Sequence, residues 1–381
     1  MKVCFYNVTA TVKSGGLETY CHNLARELQK IGVEVEIVGG AGEESVYGKS
    51  AVKTRTFPFR PRESFPVLGS RWRKFAERMS FFFHARDYLS QQDYDWMVIV
   101  KPYDFPAVWC LKRRGQKTKV FFRSGGRDFY WGDRIFSRAV DVYASSSRFN
   151  ASQIKERYGM DVEVIPNGVD AEAFHPAEKD DELAKKLGIL PRETVITSAG
   201  RLVGWKGLQY ILSSLPTIQG SIGGIKYLVI GSGKYRKEME TLAASLEIRD
   251  AVIFAGEVKH SDLPRYLSLA DLFIQPSVGD EAFGITMIEA MSCGLPVIGT
   301  KIGGIPEVIT DRETGYLIPP GDPQAIARGV LSLLNNVEER TVMGRKARER
   351  TLENFTWEGN ARRHLEIFRA KGQPFRGKGA A

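Results

Sequence analysis

The chain has 381 residues, and because a compact domain usually takes about 100 to 200, its length predicts two domains. Hydrophobic residues make up 43% and charged residues 26% of the sequence, which argues against a disordered, collagen-like or coiled-coil protein. The net charge is +9, and the four cysteines show neither a CxxC pair nor a histidine at zinc-ligand spacing, which argues against a disulfide scaffold or a structural zinc site and indicates reduced cytosolic thiols.

In chain order, short β-branched or aromatic runs alternate with amphipathic helical stretches, a pattern typical of a parallel sheet with crossover helices. The alternation occurs twice and restarts near residue 190, with a helix predicted over 17–31 in the first series. The strands predicted in the first series are 3–8, 33–38, 96–100, 119–123, 140–144 and 162–165. Those predicted in the second are 195–199, 227–230, 252–255, 272–275 and 296–299.

Between the two series lies the sequence PNGVD at 166–170, with the Pro, Asn and Gly that a sharp turn or linker requires. We therefore expect the domain boundary there. Helical sequence continues to about residue 370, and the last residues, 372–381, have the composition of a frayed tail.

The segment 53–86 interrupts the first series and carries nine basic but only two acidic residues. Aromatic residues stand among these arginines at helical spacing, so the segment can be interpreted in two ways. A basic amphipathic helix can lie on an anionic membrane, or its apolar face can pack on its own domain while its charges are solvated. We favour the second interpretation, although the charge would also attract phosphorylated substrates or nucleic acid.

The amino-terminal residues lack the long apolar core and the small-residue cleavage site of a signal peptide. No apolar stretch reaches the roughly 18 to 20 residues that span a bilayer. We therefore expect a cytoplasmic protein.

Two glycine-containing segments follow predicted strands. Gly15 and Gly16 open a helix after the first strand, where glycine allows backbone amides to approach a phosphate, although a tight turn alone would also favour glycine. Gly200–Gly207 contains Arg201 and Lys206 at the carboxyl end of a strand, which predicts a cationic clamp on an anionic ligand or a solvated surface pair. The segment lacks the GxxxxGK[ST] pattern of a P-loop.

Two glutamates, Glu281 and Glu289, stand eight residues apart around the start of a predicted helix. Gly284 precedes a run of good helix formers, so the helix is predicted to begin near Ile285, with Glu281 on the entering loop and Glu289 in the second turn. Carboxylates accept paired hydroxyls well, so binding of sugar hydroxyls and proton transfer are both natural uses of this pair.

Taken together, these motifs resemble glycosyltransferase family 4, whose members are retaining enzymes of the GT-B architecture. The resemblance implies an α/β fold with two Rossmann-like, doubly wound parallel-sheet domains that face a central cleft. It implies an acceptor-binding domain at 1–168, a donor-binding domain at 169–355, and a carboxyl-terminal helix within 356–381 that returns to the first domain. The matching segments are SGGLETYCHNLARELQKIGVEV, VIPNGVDAEAFHP, SAGRLVGWKGL, LVIGSGKYRKEM, ADLFIQPS, EAFGITMIEAMSCGLPVIGTKIGGIPEVI and TGYLIPPGD.

By residue, the resemblance implies that Arg201 and Lys206 hold the diphosphate of a nucleotide-sugar donor. Glu281 would accept hydroxyls of the donor sugar, Glu289 would bind the ribose, and the backbone near Val258 would meet the base. The implied catalytic residues are Arg201, Lys206 and Glu281. The implied donor-binding residues are Gly15, Gly16, Arg201, Lys206, Val258, Glu281, Phe283, Gly284, Ile285, Thr286 and Glu289.

One position departs from the family pattern. Many members have a histidine after the fourth strand of the first domain, but Ser124 or Gly125 stands in its place here, and His22 and His84 are better interpreted as structural or surface residues. We predict that Arg123 and Ser124 contact the acceptor.

The expected function is transfer of a hexosyl unit from a UDP- or GDP-sugar to an acceptor hydroxyl, with retention, in the synthesis of cell-envelope polysaccharide or glycolipid. No metal and no cofactor are expected. The basic segment points to a phosphorylated or lipid-linked acceptor and to peripheral association with an anionic membrane at its inner surface, and no nucleic acid partner is expected. Two alternatives stay open: a glycoside hydrolase that uses Glu281 and Glu289 as acid and base, or a nucleotide-binding protein of the same fold without turnover.

Overall fold

A computed structural model describes residues 1–13, 15–42 and 52–372 of the chain. The chain divides into two compact units: unit 1 comprises Met1–Asn167 and the segment from Trp357 onward, and unit 2 comprises Gly168–Thr356. Each unit is built around one parallel sheet, as the predicted fold class requires. The predicted frayed tail lies, from residue 373 onward, outside the described residues.

Within the described residues, the sheet of unit 1 has seven parallel strands. These are β1 (Lys2–Tyr6), β2 (Glu34–Gly40), β3 (Lys53–Phe57), β4 (Trp96–Ile99), β5 (Lys119–Ser124), β6 (Val142–Ser145) and β7 (Val162–Val164). Their order is β3-β2-β1-β4-β5-β6-β7, and Phe5 of β1 lies opposite Ile37 of β2 and Val98 of β4. Because successive strands are added first on one side of β1 and then on the other, the sheet has a switch point between β1 and β4.

Helices cover both faces of this sheet. They are α1 (Gly16–Lys30), α2 (Ser70–Gln91), α3 (Phe105–Arg113), α4 (Asp133–Phe136) and α5 (Arg148–Tyr158). Val3 and Phe5 of β1 belong to the core on the α1 side, whereas Cys4 and Tyr6 belong to the core on the α2 side. Successive side chains of a strand point to opposite faces, so the nearly continuous apolar sequence of β1 fits a sheet that is buried on both.

The sheet of unit 2 has six parallel strands. These are β8 (Thr194–Ala199), β9 (Ile225–Ile230), β10 (Val252–Gly256), β11 (Leu272–Gln275), β12 (Val297–Thr300) and β13 (Gly315–Ile318). Their order is β10-β9-β8-β11-β12-β13, with Ile196 of β8 opposite Leu272 of β11. The switch point of unit 2 therefore lies between β8 and β11.

Helices also cover both faces of the second sheet. They are α6 (Asp181–Lys186), α7 (Leu208–Gln219), α8 (Arg236–Ser245), α9 (Leu263–Leu267), α10 (Ile285–Ser292), α11 (Ile305–Val308), α12 (Pro323–Asn335) and α13 (Val337–Asn354). Met287 and Met291 of α10 pack with Val195 on one face, and Ile211 of α7 packs with Ile196 on the other. None of the helices within the described ranges has the length and apolar character needed to cross a membrane.

The last described helix, α14 (Trp357–Gly372), belongs to unit 1. The Nε2 atom of His364 lies 2.8 Å from the hydroxyl of Tyr20 on α1, and the ring of Phe368 stacks on Trp96 of β4 with centroids 4.9 Å apart. Burial lowers the pKa of His364 to about 3, so this imidazole is a neutral member of the core.

The sequence analysis missed two strands, β3 and β13. Strand β3 has the sequence KTRTF and is largely exposed at the edge of its sheet, so it lacks the apolar run by which strands are found. Strand β13 has only four residues and begins at a glycine, and it is an edge strand of the second sheet. Edge strands need less apolar sequence than central ones, because one side of the strand has no neighbour to match.

Candidate active site

Apart from Val258, the predicted donor residues of unit 2 lie on the segments that follow β8 and β11. The loop 200–207 follows β8, and the loop 276–284 follows β11, so both lie at the switch point of this sheet. In open parallel sheets, the crevice at this point is where ligands bind.

A glycine with a positive φ holds the two loops together. Gly207 has φ +77°, and a Cβ atom at this position would stand 1.9 Å from the carbonyl oxygen of Pro276. Two hydrogen bonds accompany this approach, since the Trp205 carbonyl accepts the N–H groups of Val278 at 2.8 Å and Gly279 at 3.2 Å. The backbone therefore fixes the position of Lys206 relative to the β11 loop.

Lys206 and Glu281 form an ion pair within this frame. The Nζ atom of Lys206 lies 2.5 Å from Oε2 of Glu281, and both side chains are largely buried. The same oxygen accepts hydrogen bonds from Nε2 of Gln275 at 3.2 Å and from Oγ of Ser277 at 3.4 Å. The second oxygen, Oε1, accepts a hydrogen bond from no group in the described part of the chain, so Glu281 is fixed by one oxygen and has the other for a ligand hydroxyl.

Arg201 differs from Lys206 because its charge is not paired. The residue is exposed, and its guanidinium makes no hydrogen bond or ion pair with any residue in 1–13, 15–42 or 52–372. Its five N–H donors are thus available to an anion, and their planar arrangement suits the oxygens of a phosphate.

The amino-terminal end of α10 is a third source of positive potential. The helix begins at Ile285, as the sequence predicted, and is preceded by Gly284 with φ +88°. The first N–H groups of a helix have no partner inside it, so the amides of Ile285 and Thr286 are available donors. The neighbouring side chain of Phe283 is buried in the core of unit 2, which anchors this turn.

Glu289 occupies the second turn of α10, and the structure gives it a partner that the sequence analysis missed. The Nε2 atom of His260 lies 2.6 Å from Oε1 of Glu289, and the imidazole packs on the ring of Phe174 with centroids 5.2 Å apart. The hydrogen bond to Glu289 raises the pKa of His260 above its usual value, although burial opposes the shift. The sequence offered one clue to this role: His260 stands two residues after Val258, the predicted base-binding residue.

Val258 lies on the loop after β10, and its side chain packs partly buried against the core of unit 2. The adjacent Glu257 accepts a hydrogen bond from Oγ of Ser232, 3.1 Å away on the loop after β9. The loops that follow β9 and β10 are therefore joined to each other, and the predicted contact of the Val258 backbone with a base remains a prediction.

The two glycines of unit 1 lie where the loop after β1 enters α1, at the switch point of the first sheet. Gly15 immediately precedes α1 and Gly16 is its first residue, while Ser14 lies outside the described residues. The hydroxyl of Thr9 donates a hydrogen bond to the carboxylate of Glu18 in the first turn. The helix start is thereby held to the β1 loop, and the predicted phosphate contact of the two glycines remains a prediction.

Arg123 and Ser124, predicted to contact the acceptor, are both buried at the end of β5. The guanidinium of Arg123 donates to the carbonyl of Ser124 and, at 2.6 Å, to Oδ1 of Asn167, and its centre lies 5.0 Å from the ring of Tyr20. Burial lowers the pKa of Arg123. Within unit 1 this guanidinium is thus buried and hydrogen-bonded, and the predicted contact of Arg123 and Ser124 with an acceptor remains a prediction.

Metal-ligating side chains are dispersed in the part of the chain that the structure describes. No group of three or more His, Cys, Asp or Glu residues there could hold a metal ion. The four cysteines are free thiols, and Cys4 and Cys21 are buried.

Two family models match the chain. The model of the glycosyl transferases group 1 matches residues 179–350, and that of glycosyltransferase family 4 matches residues 14–173. The chain is 30% identical over 272 residues, or 67% of its length and 71% of the relative, to a GDP-mannose-dependent monoacylated alpha-(1-6)-phosphatidylinositol monomannoside mannosyltransferase of Corynebacterium glutamicum. The chain belongs to the group 1 glycosyl transferases. Its resemblance to family 4 is thereby confirmed, and the protein is a glycosyltransferase of this type.

Another relative of this glycosyltransferase is the N-acetyl-alpha-D-glucosaminyl L-malate synthase of Bacillus anthracis, which is 31% identical over 216 residues, 57% of this chain and 55% of that protein. Solved structures confirm the GT-B fold. The sucrose-phosphate synthase of Thermosynechococcus elongatus superposes with a TM-score of 0.80 at 21% identity, over 97% of this chain and 98% of that one. Anabaena HepE in complex with UDP superposes with a TM-score of 0.80 at 18% identity, over 97% and 100%.

Proposed function

We propose that this glycosyltransferase transfers a hexosyl unit from a UDP- or GDP-sugar to an acceptor hydroxyl, with retention of the anomeric configuration and without a metal ion. The observation that carries the proposal is the Lys206–Glu281 ion pair at the switch point of unit 2, together with Arg201 on the same loop, whose guanidinium has no partner among the described residues. Lys206 holds the sugar-binding carboxylate in place with one of its three N–H donors, and its other donors, together with those of Arg201, bind the diphosphate in this proposal.

In this mechanism the bond between the anomeric carbon and the diphosphate oxygen breaks, and negative charge develops on the leaving phosphate. Arg201, Lys206 and the first amides of α10 stabilise that charge. Preorganised donors of this kind are each worth about 3 kcal/mol where they have been measured. The acceptor oxygen bonds to the anomeric carbon on the side that the phosphate leaves, and a leaving phosphate oxygen takes the acceptor proton, so no separate base is needed.

The two carboxylates orient the donor in this proposal. Oε1 of Glu281 accepts a hydroxyl of the sugar, while Oε2 stays bound to Lys206, Gln275 and Ser277. Glu289 accepts the ribose hydroxyls with its orientation set by His260. Each carboxylate thus binds the donor with its geometry fixed in advance by a side chain of unit 2.

The same contacts argue against the hydrolase alternative. A glycosidase needs one carboxylic acid that presents a proton to the glycosidic oxygen. Oε2 of Glu281 is instead bound to the Lys206 ammonium, and Oε1 of Glu289 is bound to His260. The hydrolase hypothesis also leaves Arg201 without a role.

For the acceptor, we propose a glycolipid or an envelope polysaccharide precursor at the inner surface of an anionic membrane. The names of relatives such as the Corynebacterium glutamicum mannosyltransferase, which refer to a phosphatidylinositol monomannoside, support a lipid-linked acceptor. The excess of basic residues in 53–86 supports an anionic one.

The test begins with thermal unfolding of the protein in the presence of UDP-, GDP- and ADP-sugars. The donor that raises the unfolding temperature is then incubated with acceptor lipids in buffer that contains a chelator, and NMR coupling constants give the anomeric configuration of the product. We expect transfer with retention in the presence of the chelator. Inversion or loss of activity with the chelator would overturn those parts of the proposal, and nucleotide binding without any transfer would favour the non-catalytic alternative.

A further inference from the structure

Unit 1 carries several large apolar side chains that are exposed to solvent. Five such residues, which we call the interfacial patch, are Val67, Leu68, Trp72, Trp131 and Ile135, and they are between 44% and 94% exposed. Single exposed apolar residues are common on protein surfaces, but a contiguous group of them marks an interaction site.

Aromatic contacts bring the two segments of the patch together. The ring of Trp72 stacks on Phe75, with centroids 5.9 Å apart, and Phe75 lies 6.1 Å from the ring of Tyr130. Tyr130 precedes Trp131 and stacks on Tyr103 with centroids 4.9 Å apart. The start of α2 and the loop before α4 therefore lie side by side, so the segments that carry Trp72 and Trp131 are neighbours in unit 1.

The turn before α2 is held in the same place. The Nε atom of Arg73 donates to the carbonyl oxygens of Phe65 at 3.0 Å and Pro66 at 3.3 Å, and the Leu68 amide donates to the Pro66 carbonyl at 2.9 Å. Val67 and Leu68 are thus the tip of a braced turn. Both side chains are exposed, whereas the apolar residues of α2 that enter the core, such as Phe81 and Phe82, lie farther along the helix.

The segments that carry the patch are strongly basic. Residues 60–75 and 127–138 together carry eight basic and three acidic residues. One of the acids, Asp133, is buried and paired with Arg157, and another, Asp128, lies between Lys74 at 3.0 Å and Lys101 at 2.8 Å. The basic residues are Arg60, Arg62, Arg71, Arg73, Lys74, Arg127, Arg134 and Arg138.

The charge of Asp128 does not cancel this field. Burial alone would raise the pKa of Asp128, but the ammonium groups of Lys101 and Lys74 lower it to about 2. Two ammonium groups therefore share one carboxylate, and a positive charge remains beside the patch.

We infer that the interfacial patch docks unit 1 on an anionic lipid bilayer, with the apolar side chains in the headgroup region and the surrounding arginines on lipid phosphates. Aliphatic and tryptophan side chains inside a ring of cations match the chemistry of that interface, where each basic residue near the surface adds attraction. A hydrophobic protein interface would account for the apolar residues but not for the excess of charge. The inference rests on the proposed function for the biological purpose of membrane docking, but the observations that support docking do not depend on it.

The experiment is co-sedimentation of the full chain with vesicles of phosphatidylcholine and phosphatidylglycerol, compared with vesicles of phosphatidylcholine alone. The double variant Leu68→Ser/Trp131→Ser removes apolar contacts, and its matched control is Val337→Ser/Leu352→Ser, two exposed apolar residues of α13 in unit 2. The charge variant Arg71→Glu/Arg134→Glu is matched by Lys186→Glu/Arg192→Glu on the surface of unit 2. Unfolding temperature and nucleotide affinity verify that every variant is folded.

We expect the wild type to bind the anionic vesicles, more weakly as salt rises, and not the neutral ones. Each patch variant should weaken the partition coefficient at least tenfold, and each control less than twofold. Absence of vesicle binding, or equal binding by a folded patch variant, would overturn the inference, as would self-association without vesicles that the patch variant abolishes. Because the measurement needs no sugar transfer, vesicle binding by an inactive wild type would refute the proposed function and leave the docking surface intact.

Discussion

The switch points of the two sheets have the same topology but use their charged residues differently. In unit 1, Arg78 bonds to Oδ2 of Asp104 at 2.5 Å and to Oδ1 of Asn7 at 2.8 Å, and all three side chains are buried. In unit 2, Lys206 pairs with Glu281, but Arg201 is exposed and pairs with no residue in the part of the chain that the structure describes.

The comparison indicates why the switch point of unit 2 is the better candidate for a ligand site, since it keeps donors that are not committed to the fold. In unit 1 the cation and the carboxylate are buried and paired with each other, and they join the ends of β1 and β4 through Asn7 and Asp104. In unit 2 the ion pair sets a carboxylate in place and a second cation stays available. Breaking the first pair should therefore affect folding, and breaking the second should affect chemistry.

The largest expected effect is on stability, from Arg78→Met in unit 1. The substitution leaves the buried carboxylate of Asp104 without its partner, which typically costs about 3 to 5 kcal/mol. We expect denaturant unfolding to show this loss, with nucleotide affinity of the folded protein unchanged. The double variant Arg78→Met/Asp104→Asn should recover part of the stability, and a double variant no more stable than Arg78→Met would contradict the pairing.

Next in size is the effect of Lys206→Met on the transfer reaction. Removal of one donor to the leaving phosphate should lower kcat by a factor of about 100 to 1,000. Steady-state kinetics measure this factor. Lys206→Met also leaves the carboxylate of Glu281 without its ion-pair partner, which should lower stability. The double variant Lys206→Met/Glu281→Gln removes that unpaired charge and should recover stability without recovering activity. A variant with near-normal kcat would show that Lys206 has only a structural role, as Arg78 does.

A smaller effect is expected from the backbone of the β8 loop. Gly207→Ala places a Cβ atom against the Pro276 carbonyl and forces an unfavourable φ, which should cost about 2 kcal/mol or more. Gly204→Ala in the same loop is the matched control, because the nearest atom to its Cβ would be 3.7 Å away, on the Tyr235 ring. Thermal unfolding should separate the two variants, and equal unfolding temperatures would mean that the loops are not held as described.

The smallest effect concerns pH and the His260–Glu289 contact. The pKa of His260 is raised in the folded state, so its stabilising contribution is complete below its unfolded value, about 6.5, and is lost as pH rises through the folded value. The unfolding temperature of the wild type should exceed that of His260→Gln most clearly at about pH 6 and progressively less at higher pH. A difference that does not vary with pH would exclude a protonated His260 as the partner of Glu289.

Much of this arrangement could be predicted from the sequence because it depends on local patterns. Strand β11 and the start of α10 at Ile285 agree with the structure, since each has a clear apolar run or a glycine before good helix formers. Strand β3 could not be found in this way, because its exposed residues carry no apolar pattern.

The contacts that the site residues make with each other could not be predicted from the sequence, for a physical reason. Lys206 and Glu281 are 75 positions apart and meet only because β8 and β11 are neighbours in the sheet. The burial of Arg123 depends likewise on Tyr20 and Asn167 from distant segments. Spacing along the chain indicates residue types for a site, whereas strand order decides which of them meet.

The central claim, that the cations of unit 2 bind the diphosphate, is tested most directly by nucleotide affinity. Isothermal titration calorimetry measures Kd for nucleoside monophosphates and for the corresponding diphosphates of uridine and guanosine. The quantity compared between the wild type and Arg201→Ala is the ratio of the monophosphate Kd to the diphosphate Kd. We predict that the substitution lowers this ratio at least tenfold while monophosphate affinity changes little. An unchanged ratio in a folded variant would contradict the account.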